Sequence, residues 1–318
     1  MWDFFTTMIP IALAATAPML LASLGGLFSE RSGVINIGLE GLMIIGSFAS
    51  ALFISQTFTD SNSVIWIGIL VGGLAGCLIS VLHAYASINL KANQVISGTA
   101  INLLAPAATL FLAQTINETN AQHIRIISGL PRFDLPILSD IPIIGELFFT
   151  RMYTTTIITF LLVVLTWYVI FKTAFGLRLR ACGEHPQAAD SMGINVYKMR
   201  YFGVLASGFL AGLGGAVLVV TTSSEFNGDV AGLGFLALAA LIFGKWNPWS
   251  VLLASFFFGF MRTLGSLATI NDALKTLEIP TEFYNALPYV MTIFALIVFS
   301  RNATGPRAAG EPYDKGKR

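Results

Sequence analysis

Apolar residues run along this chain in blocks too long and too unbroken to be the inner face of a soluble helix. A membrane-crossing helix needs about 20 mostly apolar residues. The runs at 9–28, 35–55, 63–88, 94–113, 154–171, 201–221, 230–243, 249–268 and 284–300 meet or approach that length, which predicts about nine spans. Two of them are irregular. The run 230–243 is short for a crossing, and 35–55 carries Asn36 and Glu40 near its start. Irregular backbone survives at membrane depth only where protein buries it or where it lines a wet cavity. Both runs are therefore expected to be broken or re-entrant elements of a pathway.

The polar intervals set the orientation. The interval 172–200 holds Lys172, Arg178, Arg180, Lys198 and Arg200, and the tail 301–318 holds Arg301, Arg307, Lys315, Lys317 and Arg318. Loops rich in Lys and Arg stay cytoplasmic, so both are assigned to that side, with four runs between them. Lys91 and Lys245 fall on the same side, the N-terminus comes out external, and 114–151 becomes an external loop. Its Arg125, Arg132 and Arg151 run against the bias but are accompanied by acidic residues. The N-terminus has Asp3 and no basic leader, so 9–28 is read as a retained span and not as a cleaved signal.

Two stretches echo each other: LGGLFSERSGVINIGLEGLMIIG (24–46) and LGGAVLVVTTSSEFNGDVAGLGFLALAALIFG (213–244). Each reads as the end of a span, a polar break containing glycine, and then a segment rich in small residues. In the topology above they point in opposite directions, as the halves of inverted-repeat transporters do.

Composition agrees with a membrane protein. Of 318 residues 55% are hydrophobic and 11% charged, with mean hydropathy +0.75, whereas a soluble domain carries roughly 25% charged residues. The net charge of +1 gives no support to nucleic-acid binding. Cys77 and Cys182 are too few for a disulfide framework or a cysteine metal site. His83, His123 and His185 fall in a span, the external loop and the cytoplasmic segment, so no catalytic constellation forms and no metal site is expected. The chain has no G-x-x-x-x-G-K-[ST] loop and therefore cannot itself hold ATP phosphates that way. Thirty glycines, in runs such as GILVGGLAGCLIS and ASGFLAGLGGA, allow helices to approach closely in lipid, within one bundle or across a dimer face.

Polar side chains at membrane depth are costly and so are functional candidates. The set is Asn36, Glu40, Asn93, Gln94, Asn102 and Arg262, with His83 as a lesser member; the translocation pathway is assigned to Asn36, Glu40, Asn93, Gln94 and Asn102 together with the apolar Phe235. Asn93 and Gln94 also suit the capping of a helix. Amide side chains offer both donors and acceptors, which fits an uncharged hydroxyl-rich or heterocyclic solute. Glu40 and Arg262 are assigned to opposite ends of their runs and are not paired.

The polar interval contains GLRLRACGEHPQAADSMGINVYKMRYFG (176–203). Proline favours the first turn of a helix and glycine the position just past its end, which predicts a helix of about two turns over 186–192, stopped by Gly193. So short a helix is not stable alone and must be held by its flanks and by what it touches.

SERSGVINIGLEGLMIIGSF (29–48), GLRLRACGEHPQAADSMGINVYKMR (176–200) and GFLALAALIFGKWNPW (234–249) resemble the integral-membrane permease subunits of bacterial ABC importers, in the branch with ribose-type sugar and branched-chain amino-acid permeases. The wording of the first and last is most similar to nucleoside (guanosine/purine-type) permeases. The resemblance implies an all-α fold: a polytopic transmembrane helical bundle, some spans discontinuous, of the type II importer kind. It implies one permease domain over 1–318 in a bacterial cytoplasmic membrane. Glu184, His185, Pro186, Gln187, Ala188, Ala189, Asp190 and Gly193 would form the coupling element against a separate ATP-binding cassette ATPase, which would bind ATP and magnesium. A second permease chain and an external solute-binding lipoprotein complete the implied assembly, and the expected role is transport and not catalysis. The nearest alternatives are a permease for a monosaccharide such as ribose and a self-contained carrier driven by an ion gradient.

Overall fold

Apolar stretches with no water to bond their backbone close their hydrogen bonds internally, and helix results. A computed structural model describes residues 2–57, 61–116, 121–126, 129–268 and 305–316, with scattered positions between 283 and 294. The helices are α1 (Trp2–Arg31), α2 (Leu39–Gln56), α3 (Asn62–Ala84), α4 (Gln94–Ile116), α5 (Ile144–Phe148), α6 (Thr154–Lys172), α7 (Ala174–Glu184), α8 (Pro186–Ser191), α9 (Val196–Leu218), α10 (Leu233–Phe243) and α11 (Pro248–Ala268). Helices α3 and α9 each end in a π-helical turn, Tyr85–Asn89 and Val219–Ser223. Among the described residues seven helices are long and apolar enough to cross a membrane, and α10 is apolar but shorter. The ninth expected run, 284–300, lies largely outside the described residues.

Helix α1 is the axis of the bundle: 89% of its most apolar window is buried, against 78% for α9 and 22% for α4. Apolar side chains such as Leu103, Leu104 and Phe111 cover the outer face of α4, where lipid is their natural solvent. Helix α9 runs antiparallel to α1, with Gly25 on Ser207 and Gly214 on Pro18, and antiparallel to α3, with Gly72 on Ala216 and Gly76 on Gly208. Gly46 of α2 meets Gly212 of α9 backbone to backbone, with no room for a Cβ on either. The small-residue runs are thus used inside the bundle.

The echo of the sequence becomes two helix–break–helix units: α1, residues 32–38, α2; and α9 with its π turn, residues 224–232, α10. Because α1 and α9 are antiparallel, the two breaks open from opposite ends of that pair, and each returns along α1 so that the starts of α2 and α10 meet, Gly26 lying against both Leu39 and Leu241. Helix α10 returns parallel to α1, with Ser23 Oγ donating to the Ala237 carbonyl at 3.1 Å and Gly26 against Leu241.

Three features differ from the sequence expectation. The interval 172–200 contains two helices, since α7 precedes α8; the Thr173 hydroxyl caps α7 by accepting from the Gly176 N–H at 3.1 Å. The loop expected to be external carries short antiparallel pairs: β1 (Ile124–Arg125) with β4 (Glu225–Phe226), and β2 (Arg132–Phe133) with β3 (Met152–Tyr153). Finally, the tail residues 305–316 fold back onto the end of the bundle that carries α7 and α8.

Candidate functional site: two helix breaks and an outward helix

The first break leaves backbone groups at depth that no helix satisfies, and side chains from two neighbouring helices, α3 and α4, and from Asn36 of the break itself take them up. Gln94 Oε1 accepts from the Ile35 N–H at 2.7 Å, and the His83 ring lies 3.0 Å from the Ile35 carbonyl and 3.0 Å from Ser97 Oγ. Asn102 Nδ2 donates to the Ile37 carbonyl at 2.9 Å while its Oδ1 accepts from the Gly41 N–H at 2.8 Å. Asn36 Oδ1 accepts from the Gly38 N–H at 3.1 Å, and its Nδ2 donates to Ser207 Oγ at 2.9 Å. Three of the proposed pathway residues, Asn36, Gln94 and Asn102, are therefore brought together around one segment. Asn93 is elsewhere: it is exposed and caps α4 through the Val95 and Ile96 N–H groups, at 2.9 and 3.3 Å. Gln94 Nε2 is buried with no hydrogen-bond partner among the described residues.

At the second break Glu40 stands where a helix cap would stand. Its two carboxylate oxygens accept from the Gly232 N–H at 2.9 Å and the Gly234 N–H at 2.6 Å. Glu40 sits in the first turn of α2, and Gly234 in that of α10, where a Cβ would collide with the Glu40 backbone. Two helix N-termini, each the positive end of its dipole, thus converge on one carboxylate. Arg262 reaches the same break from α11, Nη1 donating to the Ala231 carbonyl at 3.0 Å. Glu40 and Arg262, kept apart on the sequence, are attached to one segment four residues long, though not to each other. Phe235, in the first turn of α10, is exposed.

These breaks can hold a discontinuous helix pair in place while leaving few polar atoms free. The sequence missed Ser207, a single small hydroxyl in an apolar helix; its only signal is depth. Among the described residues no group of three or more His, Cys, Asp or Glu side chains is arranged to hold a metal ion.

The third element is α8. Pro186 and Ala189 are buried against the bundle, while His185, Gln187, Ala188, Ser191, Met192 and Gly193 face outward; Met192 is 82% exposed. Gly193 ends the helix at φ +80°, its N–H bonded to the Asp190 carbonyl at 2.9 Å. Glu184 is half-buried and accepts from the Arg307 N–H at 3.4 Å. Beneath, Cys182 is fully buried, and that burial pushes its thiol up to about 11. Gly183 presses so closely on the Arg31 carbonyl that a Cβ there would collide with it. Helix α7 therefore ends directly on the first break.

Comparison with known proteins places this geometry. The family model described as "Branched-chain amino acid transport system / permease component" matches residues 8–296. The chain is 47% identical over 318 residues to the guanosine ABC transporter permease protein NupQ of Bacillus subtilis, covering 99% of both chains. It is 25% identical to a second guanosine ABC transporter permease protein of that bacterium, NupP, covering 87% of this chain and 77% of the other. With the nucleoside ABC transporter permease protein NupC of Lactococcus lactis it shares 45% identity, covering 96% of each. A solved structure described as a metal-chelate type ABC transporter in an inward-facing conformation has TM-score 0.50 and 17% identity, covering 92% of this chain and 85% of that one; the likeness is one of fold. With seven crossing-length helices and a family match over most of its length, this multi-pass membrane chain belongs to the permease-component family of the branched-chain amino acid transport system.

Proposed function

We propose that this chain is the transmembrane subunit of an ATP-driven importer of nucleosides, working beside a second permease chain. An ATP-binding cassette ATPase binds ATP and magnesium and docks on α8, and an external solute-binding lipoprotein delivers the solute. In this reading the N-terminus is external, the tail is cytoplasmic, and 172–200 is the coupling segment. ATPase closure draws the α8 helices together, and the path between the two permeases changes the side to which it opens.

The observation that carries the docking reading is the outward face of α8. A two-turn helix buries only Pro186 and Ala189, exposes Gln187, Ala188 and Met192, and is fixed at both ends by Pro186 and Gly193. A solvated loop has no need of that rigidity, whereas a rod that receives a push does. The nucleoside reading is supported by what NupQ and NupC are named for. The relatedness of the chain to two permease proteins of one bacterium, at 47% and 25% identity, supports a second, different permease as its companion.

The test is to tag the chain, solubilise native membranes gently and identify what co-purifies, comparing wild type with a chain whose residues 184–193 are scrambled. An ATPase subunit is expected with the first and not with the second. A chain that purifies alone in both cases ends the docking reading. Uptake of labelled guanosine, competed by unlabelled nucleosides but not by ribose, separates the nucleoside from the sugar permease.

A further inference from the structure

The returning tail touches parts of the chain that are otherwise far apart in sequence. The Ala308 N–H donates to the Gly183 carbonyl at 2.9 Å, and the Gly310 N–H donates to the Gly33 carbonyl at 3.3 Å. Two residues span at most about 7 Å, so this short piece cannot follow the end of α7 and leave the first break behind. The Glu311 carbonyl accepts from Arg200 Nη1 at 2.9 Å. Arg200 is only 1% exposed and stands under Gly33, its guanidinium 6.0 Å from the centre of the Tyr313 ring.

Tyr313 is the plug. It is 4% exposed and closes a small apolar cluster with Cys182 of α7, Ala189 of α8 and Val196 of α9. Its ring lies edge-on to Tyr197 at 5.4 Å, and its hydroxyl faces the Asp190 carboxylate of α8. Lys91, ahead of α4, pairs with Asp314 at 3.1 Å, and Gly305 lies against the Trp246 ring in the α10–α11 connection. A chain end that merely trailed into solvent would neither bury an aromatic ring nor bond a buried guanidinium.

We propose that 305–316 is a strap that makes α7, α8 and the first break one mechanical body, with Tyr313 and Arg200 as its positioning residues. A displacement of α8 is thereby delivered to Gly33 and on to α2, and is not dissipated in the connection. This rests on the reading that α8 docks the ATPase.

The test uses the complete importer in proteoliposomes and reads guanosine uptake per ATP hydrolysed. Tyr313→Ala and deletion of 305–318 should each lower that ratio about tenfold while the ATPase subunit still co-purifies, and Tyr313→Phe, which keeps the ring, should restore it. In a Cys77→Ala background a water-soluble maleimide should reach Cys182 faster in Tyr313→Ala than in wild type. The proposal is overturned if the ratio stays at the wild-type value, if Cys182 labelling is unchanged, if either variant loses the ATPase, or if neither accumulates in the membrane. A wild-type chain that brings down no ATPase would overturn the docking reading first, and is told apart by that.

Discussion

Gly193 turns the chain at φ +80° with nothing within 4 Å of where a Cβ would sit. The cost of a side chain there is conformational and not steric: about 1–2 kcal/mol for an L residue in the left-handed region, more for a β-branched one. Helix α8 has only two turns over which to absorb it. Gly193→Val should insert and fold normally, hydrolyse ATP in the complex at its basal rate, and lose most solute uptake; normal uptake by the variant refutes the role given to α8. Glu40 is the opposite case, a side chain whose work is steric and electrostatic at once. On the sequence it is a candidate for the translocation pathway. In the structure its carboxylate takes up two backbone N–H groups of the second break, and a buried donor left unbonded costs about 1–3 kcal/mol. Glu40→Ala should therefore lower the thermal unfolding midpoint in detergent as well as uptake, with Glu40→Gln in between because one acceptor remains. An alanine variant as stable as wild type would return Glu40 to a purely transport role.

At the scale of elements, the helices pack through glycines that are not interchangeable with alanine. A methyl on Gly215 would be driven into the Met43 carbonyl, where α9 crosses α2. Overpacking of a close helix contact costs typically 1–3 kcal/mol or more, and here the obstacle is backbone, which cannot rotate aside. Gly215→Ala should reduce folded yield and the unfolding midpoint, whereas an alanine at Gly129, outside the helices and 3.0 Å from the Val220 carbonyl, should do so far less. The elements themselves were largely legible beforehand. Spans are read from length and apolarity, which the bilayer imposes directly, and the breaks from Asn36, Glu40 and the short run 230–243. The stop at Gly193 followed from local chemistry alone. What could not be read is pairing: that Gln94, His83 and Asn102 serve the backbone of 35–41, or that Glu40 caps α10, depends on which helices meet, and periodicity does not carry that. Helix α7 was missed because its charges resemble a solvated loop, and the two-residue strands because a period of two needs more residues to be seen. The tail carries a charge bias but no apolar periodicity; Tyr313 is recognisable as a core residue only once Cys182 and Val196 are beside it.

For the whole molecule the decisive quantity is direction. The two breaks open from opposite ends of the antiparallel α1–α9 pair and meet at Glu40, the first tied at its outer end to α7 and the tail, the second to the loop that contains β1. An importer of the proposed kind needs the first end in the cytoplasm, where ATP is, and the second outside, where the solute arrives. The Lys and Arg of 172–200 and of the tail favour that arrangement. In a chain without native cysteines, Asp140→Cys and Lys315→Cys place single exposed thiols at the two ends. A membrane-impermeant maleimide added to intact cells (spheroplasts, if the envelope bars it) should label the first at once and the second only after permeabilisation. Labelling of Lys315→Cys in intact cells, with Asp140→Cys protected, would invert the molecule, put α8 and the strap outside, and leave no ATPase in reach of either. Labelling with the expected sidedness would instead confine the push on α8 to the cytoplasmic face, where the strap can carry it to the first break and Glu40 can pass it to the second, whose other end opens outside.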